Sequence, residues 1–410
     1  MLQNHAVNFP RIYLIIFKKQ LHFLYKIWFL NYLFMTNKFA LLLLSCSMYF
    51  SIAAQDNAAL RLEQLMKETP VMGLSVAVIK NNKPVYTEAF GLKNAASKVP
   101  LETSDIFRIA SISKSFVATS IMQLVEKKKL KLDDDVSELV GFKVRNPKFP
   151  ETVITLKMLL SHRSSLNDSR GYFVLDSLNP AKTANWEKCY NNYEPGKGYQ
   201  YCNFNFNMAG AIIEKYSGER FDHYVKKHIL DPLKLYGGYN VDDLDSSRLA
   251  SIYEYKTDSA IFVWAPGAYA SRKPVLVNYQ LGYSTPVFSP TGGMKISAEG
   301  LAKYMTMHMN YGKPKGKRIL KKASAQLMQT APDTLNQYGL ALLRIKTLIP
   351  GETMVGHTGS AYGLHSAMFF EPDKKFGIVV ISNGCHPAYA DAFVTVIKKT
   401  INILYEELIQ

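Results

Sequence analysis

Cysteine is scarce in this chain, with 4 in 410 residues. A small fold held together by several disulfides is therefore excluded. No group of cysteines and histidines has the spacing of metal ligands, so we expect no metal site. The chain also lacks a recurring period and a Pro-rich or Gly/Ser-rich linker, which argues against repeat arrays and strings of small modules.

Acidic residues are absent from residues 1–55, although five of the 49 basic residues lie there. From Met35 onward this segment has a short charged lead, an apolar stretch and small residues where a signal peptidase can cut. We therefore predict that residues 1–55 are a signal or targeting segment and that translation starts at Met35. The protein is then exported, either to the periplasm or out of the cell.

Two other interpretations of this segment stay open. Residues Ile12–Phe34 add a second apolar stretch, which would make the segment a membrane anchor, although three lysines interrupt it. The run Leu43–Cys46 resembles a lipoprotein cleavage site. In either case residues 56–410 would stay attached to a membrane.

Basic residues also outnumber acidic ones in residues 56–410, but they are scattered. They fall into separate groups at Lys127–Lys129, Lys226–Lys227 and Lys313–Lys322. No basic stripe alternates with aromatic residues, so we expect no nucleic-acid partner. The charge is compatible with association with an anionic membrane or cell wall. The sequence does not set the oligomeric state.

Cys189 and Cys202 are close in sequence and would meet an oxidising compartment after export. A disulfide between them and a pair of buried thiols are equally compatible with the sequence. Cys385 has no evident partner.

The two ends of residues 56–410 carry the strand signals. Apolar runs predict a hairpin of Gly73–Ile79 with Pro84–Phe90, and a second hairpin of Leu364–Glu371 with Phe376–Ser382. Helical spacing predicts helices over 57–68 and Ala388–Leu408. We therefore predict an α/β (α+β) fold in which one antiparallel sheet is built from both chain ends and flanked by helices. A mainly helical lobe over about 111–299 would be inserted between sheet segments at about 56–110 and 300–410.

Ser111 and Lys114 form the only Ser-x-x-Lys in the chain, and they stand where a helix is about to begin. A spacing of three residues puts the two side chains beside each other. A serine hydroxyl becomes a good nucleophile when a base lies within hydrogen-bond reach, and a lysine with a lowered pKa can be that base. A lone motif of this kind is weak, because an N-capping serine beside a solvated lysine has the same spacing.

Two further elements strengthen the interpretation. Tyr201 and Asn203 form a Tyr-x-Asn that follows a Pro-Gly loop and leads into an apolar helix, where they can relay a proton and hold a substrate amide. Gly356–Ser360 precedes a strand, so that His357, Thr358 and Gly359 can line a substrate against it. The backbone N–H groups of Ser111 and Ser360 could then form an oxyanion hole. Tyr190–Asn192 and Thr291–Gly292 are competing matches to these two elements.

The order of these three elements resembles the serine β-lactamase and penicillin-binding superfamily. The similarity is greatest to the branch of the class C β-lactamases, with its D-Ala-D-Ala carboxypeptidase and esterase relatives, and it covers about residues 60–385. The resemblance implies the β-lactamase/transpeptidase-like fold and an acyl-enzyme on Ser111, with Lys114 and Tyr201 moving the proton. It implies a small-molecule or peptidoglycan-derived substrate and no cofactor.

Three departures from the family pattern limit what the resemblance implies. His357 stands where β-lactamases typically carry lysine, and a neutral histidine binds a carboxylate more weakly, so efficient antibiotic hydrolysis is not expected. Arg163–Ser165 replaces the usual Thr-Ser-Gly after His162. We interpret His162 itself as a structural residue and not a catalytic one. Cys202 replaces the usual serine in Tyr-x-Asn.

Two rival functions are weighed against this interpretation. Gly73–Ala77 contains Gly-x-Ser, as in α/β-hydrolases, but it continues as a strand instead of turning into a helix. A non-catalytic penicillin- or muropeptide-binding envelope protein of the same fold is the alternative from another class.

Overall fold

Strands from the two ends of the chain pair side by side in one sheet. The computed structural model describes residues 25–26, 53–313, 316–332 and 336–410. Its strands are β1 (Val71–Lys80), β2 (Lys83–Asn94), β3 (Val99–Pro100), β4 (Phe107–Arg108), β5 (Gly237–Gly238), β6 (Tyr253–Lys256), β7 (Ile261–Trp264), β8 (Lys295–Ile296), β9 (Leu343–Ile345), β10 (Met354–Ala361), β11 (Leu364–Glu371), β12 (Phe376–Cys385), β13 (Tyr389–Ala390) and β14 (Phe393–Val394).

Seven of these strands form the main sheet in the order β3-β2-β1-β12-β11-β10-β9. The N-terminal and C-terminal halves of the sheet join where β1 pairs antiparallel with β12, for example Val76 with Val380. Strands β11 and β12 are buried along their whole length, as expected for central strands that are covered on both faces. The predicted fold, an antiparallel sheet built from both chain ends, is confirmed.

The first hairpin turns at Asn81 and Asn82, whose φ angles are 53° and 61°. Both residues of a tight two-residue hairpin turn need positive φ, which asparagine tolerates better than most residues. The strands on either side extend a few residues beyond the predicted bounds.

Helices cover the sheet and fill the segment between its two halves. They are α1 (53–68), α2 (Ser113–Glu126), α3 (Val136–Val140), α4 (Leu156–Leu160), α5 (Asn203–Ser217), α6 (Phe221–Val225), α7 (Lys273–Leu276), α8 (Ala298–Met309), α9 (Lys322–Met328) and α10 (Thr395–Leu408). None of the helices in the described part of the chain combines the length and the apolar character that a bilayer crossing requires.

Period-2 alternation in β1 divides the core into two layers. Val76 and Val78 pack with α10 on one face of the sheet. Ala77 and Ile79 belong to the larger core on the other face, together with Leu301 of α8. Residues 58–410 form one compact unit.

The last helix begins later than predicted, at Thr395 instead of Ala388. Residues 389–394 form the small hairpin β13–β14, which turns at Asp391 with a φ of 56°. Phe393 has helical spacing with the residues that follow, but its backbone belongs to this hairpin.

The structure has no disulfide between Cys189 and Cys202, which corrects that option of the sequence analysis. Both are buried free thiols. The Cys189 thiol donates to Ser177 O at 3.4 Å, and the Cys202 thiol donates to Asp168 Oδ1 at 3.2 Å. The predicted targeting segment 1–55, with Met35, lies outside the described residues except for 25–26 and 53–55.

Candidate active site

Ser111 lies in a single 3₁₀ turn, Ala110–Ile112, that leads directly into α2. Ala110 has a φ of 46°, a left-handed conformation that is unusual for a residue with a Cβ. Strain of this kind persists only where surrounding packing enforces it. Here strand β10 supplies the packing, because a Cβ on Gly359 would lie 2.3 Å from Ile109 O. The missing side chain of Gly359 lets the strand approach the Ser111 turn.

Lys114 is fully buried beneath Ser111. Its Nζ lies 3.0 Å from Ser111 Oγ, and it donates to Asn203 Oδ1 and to Thr291 O, each at 2.9 Å. All three partners are uncharged. Burial therefore dominates and lowers the pKa of Lys114 to about 7, although the Asp168 carboxylate partly opposes the shift.

Tyr201 faces the same pair from the loop before α5. Lys114 Nζ lies 4.8 Å from the centre of its ring. Burial raises the pKa of Tyr201, and a hydrogen bond with Ser111 counteracts part of the shift. The phenol is thus protonated at neutral pH and able to exchange hydrogen bonds with the serine.

Asn203 begins α5 and is held by Asp168, a residue that the sequence analysis missed. The Asp168 carboxylate accepts from Asn203 Nδ2 at 2.9 Å, and from the backbone N–H groups of Asn203 and Phe204 at 2.9 and 3.0 Å. It therefore caps the helix from a loop 35 residues earlier in the chain. The only signal in the sequence is an aspartate in a Ser/Asn-rich loop, which is too common to identify it.

His357 and Thr358 lie on β10 opposite Ser111. Nδ1 of His357 donates to Thr358 O, and Nε2 lies 2.9 Å from the hydroxyl of the buried Tyr338. Burial, together with the nearby Lys114 charge, lowers the pKa of His357 to about 4. The imidazole is therefore neutral at pH 7, and both of its nitrogens are already bound by the protein.

These groups surround one cleft of about 620 Å³. Its wall includes Ser111, Tyr201, Asn203, His357, Thr358 and Ser360, with Arg108, Tyr172, Phe173 and Tyr362 further out. The predicted catalytic, substrate-binding and oxyanion-hole residues thus meet at one place, with Lys114 and Gly359 packed behind the wall.

A family model described as beta-lactamase matches residues 59–397. The chain belongs to the beta-lactamase family. The resemblance based on the three motifs is thereby confirmed.

Relatives of this beta-lactamase family member include two curated proteins. "Protein flp" of Staphylococcus aureus (strain MW2) is 23% identical over 349 residues, which cover 78% of this chain and 61% of that protein. "Penicillin-binding protein 4" of Amycolatopsis lactamdurans is 27% identical over 346 residues, covering 79% of this chain and 84% of that protein. The chain therefore spans less than two thirds of the staphylococcal relative.

Solved structures share the beta-lactamase fold. The octameric penicillin-binding protein homologue from Pyrococcus abyssi superposes with a TM-score of 0.67 at 26% identity, covering 85% of this chain and 78% of that one. The D-amino acid amidase from Ochrobactrum anthropi SV3 superposes with a TM-score of 0.65 at 20% identity, covering 87% and 98%.

Of the two competing matches in this beta-lactamase family member, one lies outside the cleft and the other forms part of its wall. Asn191, next to the buried Tyr190, binds the Leu166 carbonyl and lies outside the cleft. Thr291 does reach the cleft, where Thr291 Oγ1 donates to Asn203 Oδ1 at 2.7 Å. Ser75 is fully buried within β1, as an ordinary strand residue would be. His162 is also buried, and its Nδ1 accepts from the backbone N–H of Cys202 at 3.1 Å.

Proposed function

We propose that the protein is an exported hydrolase that forms an acyl-enzyme on Ser111, with Lys114 as the base. The observation that carries this proposal is the 3.0 Å separation of Lys114 Nζ and Ser111 Oγ, with the lysine fully buried among neutral partners. A lysine in such surroundings loses its proton easily, which is what a general base requires.

The contacts of Lys114 suit the neutral amine. A neutral amine has two N–H bonds and one lone pair. The carbonyl oxygens of Asn203 and Thr291 can only accept, so they take the two hydrogens. The lone pair is left for the hydroxyl of Ser111, the third neighbour, which can donate.

The reaction follows from these groups. Ser111 Oγ attacks the substrate carbonyl, and its proton passes to Lys114 Nζ as the new C–O bond forms. The backbone N–H groups of Ser111 and Ser360 stabilise the oxyanion. The proton then reaches the leaving amine or alcohol through Tyr201, the bond to the leaving group breaks, and water later hydrolyses the ester on Ser111.

We propose D-Ala-D-Ala-type peptides, esters or β-lactams as acyl donors. The names of the relatives support this range, since one is a penicillin-binding protein and a structural neighbour is a D-amino acid amidase. The neutral His357 argues against efficient β-lactam turnover. The signal-like pattern of residues 1–55 supports export. The exported protein could also be retained at the membrane or cell wall.

Intact-mass measurement tests the acyl-enzyme directly. The wild type and Ser111→Ala are incubated with a small panel of esters, D-peptides and penicillins. We expect a mass increase equal to the acyl group on the wild type only. Peptide mapping should then assign the adduct to the peptide that contains Ser111.

Ser113→Ala is the matched control, because Ser113 is a buried serine two residues away whose hydroxyl accepts from Met294 N. This variant should still be acylated. An adduct on Ser111→Ala, or none on the wild type with a muropeptide nonetheless bound, would contradict the proposal. The second result would favour the non-catalytic binding protein.

A further inference from the structure

Two arginine side chains, in or near the Ser111 cleft, have no acidic partner among the residues that the structure describes. Arg108 is only 5% exposed and forms part of the cleft wall. A second chamber of about 510 Å³ has Arg272 in its wall. Arg108, Phe173, Ser289 and Tyr362 line both spaces, so the chamber extends the cleft.

The side chain of Arg108 makes only two hydrogen bonds with its five N–H donors. Nη1 donates to Ala268 O at 3.4 Å and Nη2 donates to Ser289 Oγ at 3.2 Å, which are long bonds to neutral acceptors. Nε has no partner although it is buried. The guanidinium also lies 5.3 Å from the ring centre of Tyr362.

Arg272, which also lines the chamber, has a similar environment. Its backbone N–H donates to Asp242 Oδ2 at 2.7 Å, but its buried Nε has no hydrogen-bond partner. No carboxylate among the described residues forms an ion pair with either guanidinium.

Two other arginines that are largely buried do have carboxylate partners. Arg220 binds Asp222 through two parallel hydrogen bonds of 2.7 Å, and Arg145 pairs with Asp135. A buried guanidinium normally needs such a partner, because an unpaired buried charge destabilises the folded state. Burial and the nearby charge of Arg272 both lower the pKa of Arg108, as expected for two like charges without a counterion.

We propose that Arg108 and Arg272 together bind a carboxylate of the substrate, so that the enzyme selects anionic acyl donors. The two forks can each give charge-assisted hydrogen bonds to one carboxylate, with the Ser289 hydroxyl beside them. This inference rests on the proposed acyl-enzyme, since it names the substrate class of the same cleft. The two arginines would supply the positive charge for a substrate carboxylate that the neutral His357 does not supply.

A matched pair of esters tests the selectivity. The substrates are mono-p-nitrophenyl succinate, which carries a carboxylate, and its methyl ester, which does not. The quantity compared is the ratio of kcat/KM for the anionic ester to that for the neutral ester. We expect the wild type to favour the anionic ester, and the ratio to fall about tenfold or more in Arg108→Gln and in Arg272→Gln, as for a lost charge-assisted hydrogen bond.

Lys273→Gln is the control, because it removes the same charge from the adjacent exposed residue, which does not line the chamber. Its ratio should stay at the wild-type value. The proposal is overturned if the wild type does not distinguish the two esters. It is also overturned if the two arginine variants lose activity on both esters equally, which is the result of a purely structural role.

A binding measurement separates this inference from the acyl-enzyme proposal. In Ser111→Ala, monomethyl succinate should raise the melting temperature while dimethyl succinate should not, since a ligand stabilises the state that it binds. The rise in melting temperature should vanish in the double variant that carries both Ser111→Ala and Arg272→Gln. Absence of the rise in Ser111→Ala overturns the carboxylate site even if Ser111 is acylated. If the rise is present in Ser111→Ala but the wild type is never acylated, only the acyl-enzyme proposal is overturned.

Discussion

Lys114 and Glu214 are both fully buried ionisable residues, and they lie on two helices, α2 and α5, that pack against each other. The carboxylate of Glu214 accepts four hydrogen bonds. Its donors are Phe221 N at 2.7 Å, Gly282 N at 2.7 Å, Thr285 Oγ1 at 2.6 Å and the hydroxyl of Tyr279. Lys114 has only three neutral partners.

The difference lies in what each environment does to the charge. Four donors around Glu214 compensate its negative charge, so the residue anchors the loops at 221 and 279–285 to α5. Lys114 has no carboxylate in hydrogen-bond contact, and burial outweighs the opposing charge of Asp168, so this lysine loses its proton more readily than usual. We therefore expect Glu214 to stabilise the fold and Lys114 to act in the proposed reaction, which replacement by apolar side chains can test.

The largest effect is expected for Lys114→Met, which keeps the length of the side chain and removes the amine. Acylation of Ser111 should slow by about a hundredfold or more, the range that a general base contributes. The fold should keep its stability, because replacing a buried, poorly compensated charge by an apolar side chain is often neutral. Rapid-quench kinetics of acylation and a thermal melt of the same protein measure the two quantities.

Tyr201→Phe gives the comparison that this result needs. If Lys114→Met were acylated at the wild-type rate while Tyr201→Phe were not, the tyrosine alone would act as the base and the contrast with Glu214 would lose its meaning. A large loss of stability in Lys114→Met would show that the lysine is a structural residue.

Glu214→Leu should have the opposite outcome, with a large loss of stability. Four buried donors would lose their acceptor together, so we expect the free energy of unfolding to fall by about 3 kcal/mol or more. Urea denaturation measures it. Glu299→Ala is the control, since Glu299 is an exposed helix residue whose ion pair with Lys303 contributes little. A Glu214→Leu protein as stable as this control would refute the anchoring role.

The sequence was most informative where the pattern is local. Apolar runs predicted β1 and β11, because a strand that is buried on both faces carries apolar residues at nearly every position. The pair Ser111–Lys114 was predictable for the same reason, since both residues belong to one turn.

Contacts between distant loops were not predictable. Asp168 caps α5 from another loop, Tyr338 binds His357, and the Nε of Arg108 lacks a partner only because of how the chain folds around it. No spacing in the sequence marks such residues. The start of α10 was wrong for a related reason, because Phe393 has helical periodicity but forms strand β14 with its neighbour.

The smallest predicted effect is a shift in the pH dependence of acylation. The pKa of Lys114 is lowered to about 7, and the base must be neutral, so kcat/KM should fall about tenfold per pH unit below about 7 and level off above it. We call this fall below pH 7 the acid limb of the profile. His357, with a pKa of about 4, stays neutral throughout this range and does not contribute to the limb. Asp168 favours the charged lysine, so Asp168→Asn should lower the pKa of Lys114 and move the limb to lower pH. The rate–pH profiles of the two proteins, measured with one ester, test the assignment, and a limb that stays in place would mean that a group other than Lys114 titrates.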